Sequence, residues 1–344
     1  MTDPLTIKLK TLTPLWTGGA DGKSDRLRIT GIIGSLRWWY EAIVRGMGGY
    51  ACDPVGGDRC EFDVKDKRAP KEQLCPACWL FGCTGWARRF RLVVRDTTQP
   101  DGPTGAQCPT GNRFRRNSTN EKPAWYFSNG PGRSGTITMS VIPLAADFDP
   151  NVILGLFKLI ERYAGLAAKT QLGYGWIQLE EPPALDLTAF VRASNTSAAT
   201  RSGESKGLPS LKEMFFTQVK TSDPGLTATL NLKYDLRAAF REAFNGNRTL
   251  RHFVCGTVEG EKQASKISIS QAVNRSMRVW GWIPDTLPKG VARNQVVDQI
   301  KVTLGKFGTL HSWREYNSTR DSMTPSQTDI AVFLTNLLQE GERQ

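Results

Sequence analysis

The 344-residue sequence predicts an α+β protein laid out on the β-α-β-β-α-β plan of ferredoxin-like folds. Three observations carry this expectation. Segments of strand period and helix period follow one another in that order up to about residue 179. The pattern partly recurs after a stretch rich in Ser and Thr. A cysteine-rich segment without clear periodicity interrupts the first unit between its first helix and its second strand.

Leu5 to Thr13 (LTIKLKTLT) alternates apolar and polar residues, as a strand with one buried face does. A loop rich in Gly and Asp follows. From Gly31 to Arg45, apolar residues recur at helical spacing (Ile32, Ile33, Leu36, Tyr40, Ile43, Val44), and Arg37, Glu41 and Arg45 fall four apart on the other side, placed to pair. Gly46, Gly48 and Gly49 end this helix. Residues 50–85 read as an insertion. Arg89 to Arg95 (RFRLVVR) is expected as a strand, and residues 96–135, rich in Gly, Pro, Asn and Ser, as a long basic flap. Thr136 to Leu144 alternates again. Asp149-Pro150 offers an N-cap and a first-turn proline to a helix whose apolar face runs from Val152 to Tyr163, and Tyr174 to Leu179 closes the unit as a strand.

Domain boundaries are expected at 1–191 and 210–344, joined by a linker, 192–209, nearly free of large apolar residues. In the second part, strands are predicted at Met214 to Val219, Lys266 to Val273 and Met277 to Ile283, and helices at Leu236 to Phe244 and Val296 to Leu304. Thr324-Pro325-Ser326-Gln327 has the form of a capping box opening a last helix. No final strand is evident in this half.

Lys and Arg number 45 against 33 Asp and Glu, a formal charge of +12. Placement says more than the total. Between Gly85 and Gly135 stand nine basic residues against three acidic ones, an excess of six and half of the net charge, and most are arginines. Arginine suits bidentate phosphate contact, so a polyanionic partner is expected. No apolar run reaches the roughly 18 residues of a membrane span, and residues 1–4 open no signal peptide. A cytoplasmic protein with no membrane partner is the expectation.

Five of the seven cysteines fall between Cys52 and Cys83. Such a cluster in a reducing compartment points to metal ligation, and a C-x2-C knuckle at Cys75 and Cys78 points to zinc. Cys60, Cys75, Cys78 and Cys83 are the predicted ligands of a structural site, with Cys52 as the substitute. A second constellation, Lys169-Thr170-Gln171-Leu172-Gly173-Tyr174-Gly175-Trp176, lies between a helix and a strand. Its glycines allow close backbone approach to a ligand, Lys169 and Gln171 can reach phosphate or sugar, and Tyr174 can stack on a base. Trp16, Trp38, Trp39, Trp86, Trp280 and Trp282 lie near Arg or Gly, the interleaving that holds single strands, although any one of them is more simply a core residue. Catalytic options are thin. His252 and His311 are the only imidazoles, and Asp21 and Asp25 in the first loop are either turn formers or ligands of a divalent metal.

The segment Thr13-Pro14-Leu15-Trp16-Thr17-Gly18-Gly19, with Arg28 and Gly31-Ile32-Ile33-Gly34-Ser35-Leu36-Arg37-Trp38-Trp39, resembles the RAMP superfamily of CRISPR proteins. More narrowly the chain looks like the subunits of the Cmr complex, the type III-B RNA-guided effector. Cys78 to Trp86, Lys169 to Trp176, Ser265-Lys266-Ile267 and Arg278-Val279-Trp280-Gly281-Trp282-Ile283-Pro284 extend the match across both halves. The resemblance implies two tandem RRM-like domains and a place among other effector subunits that hold guide RNA and capture complementary target RNA in antiviral defence. It implies an RNA-binding, architectural part, with cutting left to other subunits. Ile33 and Glu41 stand where relatives often carry basic residues, a departure that weakens phosphate contact from that helix. Arg28, Arg37, Arg88, Arg89, Lys169, Gln171, Tyr174, Arg251, Lys266 and Arg278 are then expected to touch RNA, with Arg113, Arg115 and Arg116 of the flap adding phosphate contacts. The alternative is an endoribonuclease cleaving through Asp25 with a metal, since the loop is comparable to one that bears a cleaving aspartate in related effectors, or through His252.

Overall fold

The computed structural model describes residues 4–127, 130–195, 201–205 and 207–339. In chain order the elements of the first half are β1 (Leu5–Thr11), α1 (Ile29–Gly46), α2 (Pro70–Gln73), α3 (Pro76–Phe81), β2 (Phe90–Asp96), β3 (Gln99–Asp101), β4 (Gly105–Gln107), β5 (Trp125–Phe127), β6 (Gly132–Ser134), β7 (Thr136–Pro143), α4 (Asn151–Tyr163), β8 (Ile177–Glu180) and α5 (Leu187–Ser194). The second half adds β9 (Met214–Lys220), α6 (Gly225–Ala243), α7 (Arg248–Cys255), β10 (Ile267–Ile269), β11 (Ser276–Trp282), α8 (Arg293–Phe307), β12 (Thr309–Glu315) and α9 (Ile330–Gln339).

Two antiparallel four-stranded sheets result, in the orders β2-β7-β1-β8 and β10-β11-β9-β12. Numbered within each unit, both read 2-3-1-4, so the ferredoxin-like plan occurs twice in tandem. In the first sheet β1 is central, with Leu9 opposite Ile137 on one side and Leu179 on the other. Its alternate residues Ile7 and Leu9 are fully buried under α1 and α4, whose apolar stripes supply Ile32, Leu36, Ile43, Ile153, Phe157 and Ile160. The second sheet buries Phe215, Val219, Met277 and Val279 under α6 and α8.

The strand not evident in the sequence is β12, paired along the outer edge of β9. Its last residues are buried on both faces and carry charge: Arg314 is 1% exposed and Glu315, on the opposite face beside Trp313, fully buried. Arg314 donates to both carboxylate oxygens of Asp321, while Glu315 accepts from Arg293, Arg320 and the Trp313 indole. Buried charges satisfied in this way remove the hydropathy alternation that would have revealed the strand.

The expected capping box opens no helix. Thr324 is turned back onto Asp321, whose Oδ1 accepts from its N–H at 2.7 Å. Helix α9 begins at Ile330 with Asp329 Oδ1 accepting from Ala331 and Val332 N–H. This helix returns to the first half, where Phe333, Leu334, Leu337 and Leu338 join the core beside α4 and α5. The flap is also less open than expected: two small sheets, β3-β6 and β4-β5, run through it. Thr110 and Asn231 exchange two hydrogen bonds, Tyr234 donates to Phe114 O at 2.7 Å, and Arg113 grips Asp235 with both Nε and Nη2. The flap is thereby a strap from the first half onto α6.

Candidate nucleic-acid interface and cysteine centre

Helix α1 presents two working sides. On one, Gly31, Gly34, Ser35 and Trp38 form a wall of a groove of about 440 Å³ between the two units. The loop from Gly165 to Gln171 forms its floor, and Lys266, Trp280 and Trp282 of the second unit its far wall. Four of the sequence motifs, far apart along the chain, therefore meet in one place. The loop is stitched across the seam by Thr170 Oγ1 to Ser268 Oγ at 2.9 Å and by a bridge between Gly173 and Ser270. Gly175 (φ +98°) is required here, because a Cβ would stand 2.5 Å from Leu166 O. Lys266 Nζ lies 3.8 Å from the centre of the Phe253 ring and 4.7 Å from that of Trp282. Burial lowers the pKa of its ammonium, a cation placed among rings and kept from water. Lys169, in left-handed backbone (φ +58°), holds its Nζ 3.7 Å from the Trp16 ring centre.

The other predicted RNA contacts divide by surroundings. Arg88, Arg115 and Arg116 are exposed. Arg89 lies over Trp79 at 4.5 Å and pairs with Asp147. Arg251 is half-buried on α7, where burial and then the charges of Arg241 and Arg237 lower its pKa. Arg278 stacks 4.3 Å over Trp176, and burial brings its guanidinium down to about 9. Tyr174 is 1% exposed, packed with Trp16, Phe127 and Leu230, and so it supports the loop from beneath. Gln171 stays on the groove, Lys169 beside it.

Arg28 and Arg37 are committed to the protein itself. Arg28 pairs with Asp25 at 2.7 Å and stands 3.9 Å from Asp21. Desolvation raises Asp25, but the charge and hydrogen bond of Arg28 outweigh it and hold the carboxyl below its ordinary value. A guanidinium thus occupies the space between the two aspartates where a divalent cation would have been coordinated. On α7, burial and the neighbouring Arg251, Arg237 and Arg248 lower the pKa of His252.

Arg37 belongs to the opposite side of α1. It donates through Nε to Glu41 at 2.7 Å, through Nη1 to Gly82 O at 2.7 Å and through Nη2 to Cys78 Sγ at 3.1 Å. Burial works to lower its pKa, and the bonds to Glu41 and Cys78 override this and hold it above the ordinary value. Arg45, two turns on, ties the carbonyls of Ala51 and Cys52 and also reaches Glu41 at 3.5 Å.

These arginines brace a cluster of four buried thiols. Cys52, Cys60, Cys75 and Cys78 place their sulfurs within 4.8 Å of one another, the one group of metal-ligand type among the described residues. Cys52 lies 3.5 Å from Cys78 and 3.8 Å from Cys75. A tetrahedron of sulfurs around zinc, with Zn–S bonds of about 2.3 Å, has edges of about 3.8 Å, so the donor set and its spacing fit that ion. Hydrogen bonding from Cys60 lowers Cys52, and from Cys52 lowers Cys75, while hydrogen bonding with Cys52, Cys60 and Cys75 pushes Cys78 up.

Cys83, expected as a ligand, lies outside the cluster, and Cys52, expected as its substitute, completes it. Helix α3 carries Cys78 and ends at Gly82 (φ +87°). The chain turns there, and Cys83 comes round to pair with Trp86 and donate its thiol to Thr84 O at 3.6 Å. The signal that favoured Cys83 was nearness in sequence to the knuckle. The signal for Cys52 was its place just beyond the end of α1, next to the braces Arg45 and Glu41.

Residues 8–178 match the family model of the RAMP superfamily. The chain belongs to the RAMP superfamily. The matched segment of this RAMP protein includes the cysteine cluster, α1 and the glycine-rich loop. No curated protein sequence matches it. Among solved structures, apo Cmr1 from Pyrococcus furiosus is similar at 12% identity and a TM-score of 0.45, over 90% of this chain and 98% of that one. A chain of the type III-B Cmr-beta complex bound to cognate target RNA and AMPPnP (state 2, with ssDNA present) is similar at 12% identity and 0.46, over 88% and 99%. No helix among the described residues is long and apolar enough to cross a membrane.

Proposed function

We propose that this RAMP protein is a non-catalytic, RNA-binding subunit of a type III CRISPR effector, corresponding to the first-numbered subunit of a Cmr complex. Its role is to help hold guide RNA and capture target RNA beside other subunits. The observation that carries the reading is the groove. It brings residues of the 31–38 and 165–171 segments together with Lys266 and Trp280 to Trp282 onto one lining that offers a cation, rings and close-approach backbone together. Rings accept any base face and lysines any phosphate, which suits a strand held with little regard to sequence.

Within this reading Lys266, Trp282, Trp38, Gln171 and Lys169 line the strand's path, Arg251 and Arg278 flank it, and Arg88, Arg89, Arg115 and Arg116 extend a basic surface beyond it. Arg28, Arg37, Arg113 and Tyr174 act by shaping the site. The chain divides into units at 1–191 and 210–344, and zinc held by Cys52, Cys60, Cys75 and Cys78 fastens the insertion to α1. The ion supplies folding energy and no open coordination position.

The test is anisotropy of labelled single-stranded RNA against salt concentration, for the native chain and for Lys266→Met and Trp282→Ala. Affinity should fall steeply as counterions are released, and each variant should weaken binding about ten-fold. Binding that ignores salt, or variants that bind as the native chain does, would defeat the reading. RNA shortened on incubation with the native chain but intact with Asp25→Ala or His252→Ala would point to the nuclease instead.

A further inference from the structure

Beyond the groove, a second cavity of about 630 Å³ opens between the edge of the first sheet, at Trp176 to Gln178, and strand β11 of the second unit. Strand β11 links the two spaces. Arg278, Trp280 and Trp282 occupy every second position, so they share one face of the strand and span about 13 Å between the outer two. Trp280 and Trp282 line the groove, and Arg278 lines the second cavity. Between them Trp280 packs on Gly165, where even a Cβ would come within 3.0 Å of the indole. The seam is closed at that point and open on either side.

The guanidinium of Arg278 is unusual for its position. It stacks on Trp176, yet its Nη1 is shut off from solvent with no acceptor, and its side chain makes no hydrogen bond among the described residues. The nearby Glu161 carboxylate favours its charge in part but makes no hydrogen bond to it. Glu161, in the same cavity, has its Oε1 engaged by Leu179 N–H at 2.6 Å, and Arg162 donates to Leu337 O. Leaving a half-buried cation without acceptors is costly, and an arriving oxyanion removes that cost. The remaining lining includes the amides of Gln178, Gln218 and Asn274, each able to donate and accept. A carboxylate alone would leave these amides unused. A phosphate with its ribose attached would use both.

We propose that this cavity is a nucleotide subsite in which Arg278, stacked on Trp176, grips one phosphodiester of the strand whose neighbouring bases occupy the groove. This rests on the reading that the groove binds RNA. It assigns a particular phosphate to a particular side chain, which a general basic surface would not.

The experiment is a linkage scan on the full chain. Short single-stranded RNAs are made with one uncharged methylphosphonate linkage, moved one step at a time, and their affinities measured for the native chain, Arg278→Lys, Arg278→Met and Gln178→Ala. One linkage should cost the native chain about ten-fold when neutralised. Arg278→Met should lose about the same with unmodified RNA, become indifferent to that linkage alone, and show a salt slope lower by about one. Gln178→Ala, at the cavity rim and outside the core, should weaken binding without altering the melting temperature. A merely structural Arg278 would instead lower affinity while leaving every linkage effect intact, and that profile overturns the proposal. So does a native chain that binds RNA with no single sensitive linkage, in which case the groove reading survives alone. If Arg278→Met binds RNA normally but joins its effector poorly, the occupant is a neighbouring protein's carboxylate and the proposal falls. A native chain that binds no RNA removes both readings.

Discussion

Replacing Arg37 with Met tests whether this arginine serves the cysteine centre or the RNA. In the structure its guanidinium is 17% exposed and makes three charge-assisted bonds, to Glu41, Gly82 O and Cys78 Sγ. Glu41 is only 5% exposed, and after the substitution its one remaining cation among the described residues is Arg45 at 3.5 Å. A hydrogen bond to a charged group contributes about 1.5–3 kcal/mol, and removing one partner of a buried pair costs about 3–5 kcal/mol because the other is left stranded. With Arg45 still partly compensating Glu41, the expected loss is about 3 kcal/mol. The assay is urea unfolding of the metal-loaded chain followed by tryptophan fluorescence, since Trp79 and Trp86 stack beside the centre at 4.8 Å. The Arg37→Met/Glu41→Gln double variant should recover part of the loss, because the stranded charge is gone. Metal release to a chelator should quicken in the single variant. A loss below about 1 kcal/mol with unchanged release, accompanied by weaker RNA binding, would refute this reasoning and return Arg37 to the RNA-contacting set.

Three further outcomes are expected. Elemental analysis should find one zinc per chain in the native protein and in Cys83→Ser but not in Cys52→Ser, and the reverse pattern would show that the described cluster is not the site. Asp235→Asn should free the strap at Arg113, whose partly exposed pair contributes about 1 kcal/mol after allowance for solvent, and should speed protease cutting near residues 108–122 at unchanged melting temperature of the rest. Glu315 carries a pH signature. Burial raises its pKa, but the bond from Arg320, the charge of Arg293 and the Trp313 N–H bring it down to about 2. A depressed carboxyl stabilises the fold above its unfolded value near 4.3, and that stabilisation, on the order of 3 kcal/mol, is lost as pH falls toward 2. Stability measured between pH 5 and 2.5 should therefore drop with a steeper slope in the native chain than in Glu315→Gln, and parallel slopes would contradict the assignment.

The elements legible in the sequence were those whose burial follows hydropathy. Helix α1, expected from Gly31 to Arg45, spans Ile29–Gly46, and the Arg37–Glu41–Arg45 ladder pairs as its spacing implied. Strand β9 matched within a residue. Helix α6 starts at Gly225, well before the expected Leu236, because its first turns bury Thr229, Asn231 and Lys233, polar residues that an apolar count passes over. Asn231 is buried through its bonds to the strap and to Asp223, contacts more than a hundred residues apart in the first case. Strand β12 was hidden for the same reason. Four motifs far apart in the sequence meet at the groove, but the surroundings of their residues did not follow from residue type. Tyr174 and Arg37 have the chemistry of RNA contacts, and only their neighbours reveal that one fills a core and the other braces thiols. Long-range polar pairing leaves no periodic trace in a sequence, and that is where the expectations fell short.

Helix α9 completes a core that begins with Ile7, yet it leaves the ribosome after every other element of the two described units. Until residues 330–339 emerge, the faces of α4 and α5 that receive Phe333, Leu334 and Leu337 stand open to water. The nascent first half must then wait through synthesis of the whole second half with an adhesive surface uncovered. Yield in the cell should consequently depend on chaperone supply, and a premature stop before Ile330 should give aggregates even though both sheets have been fully translated.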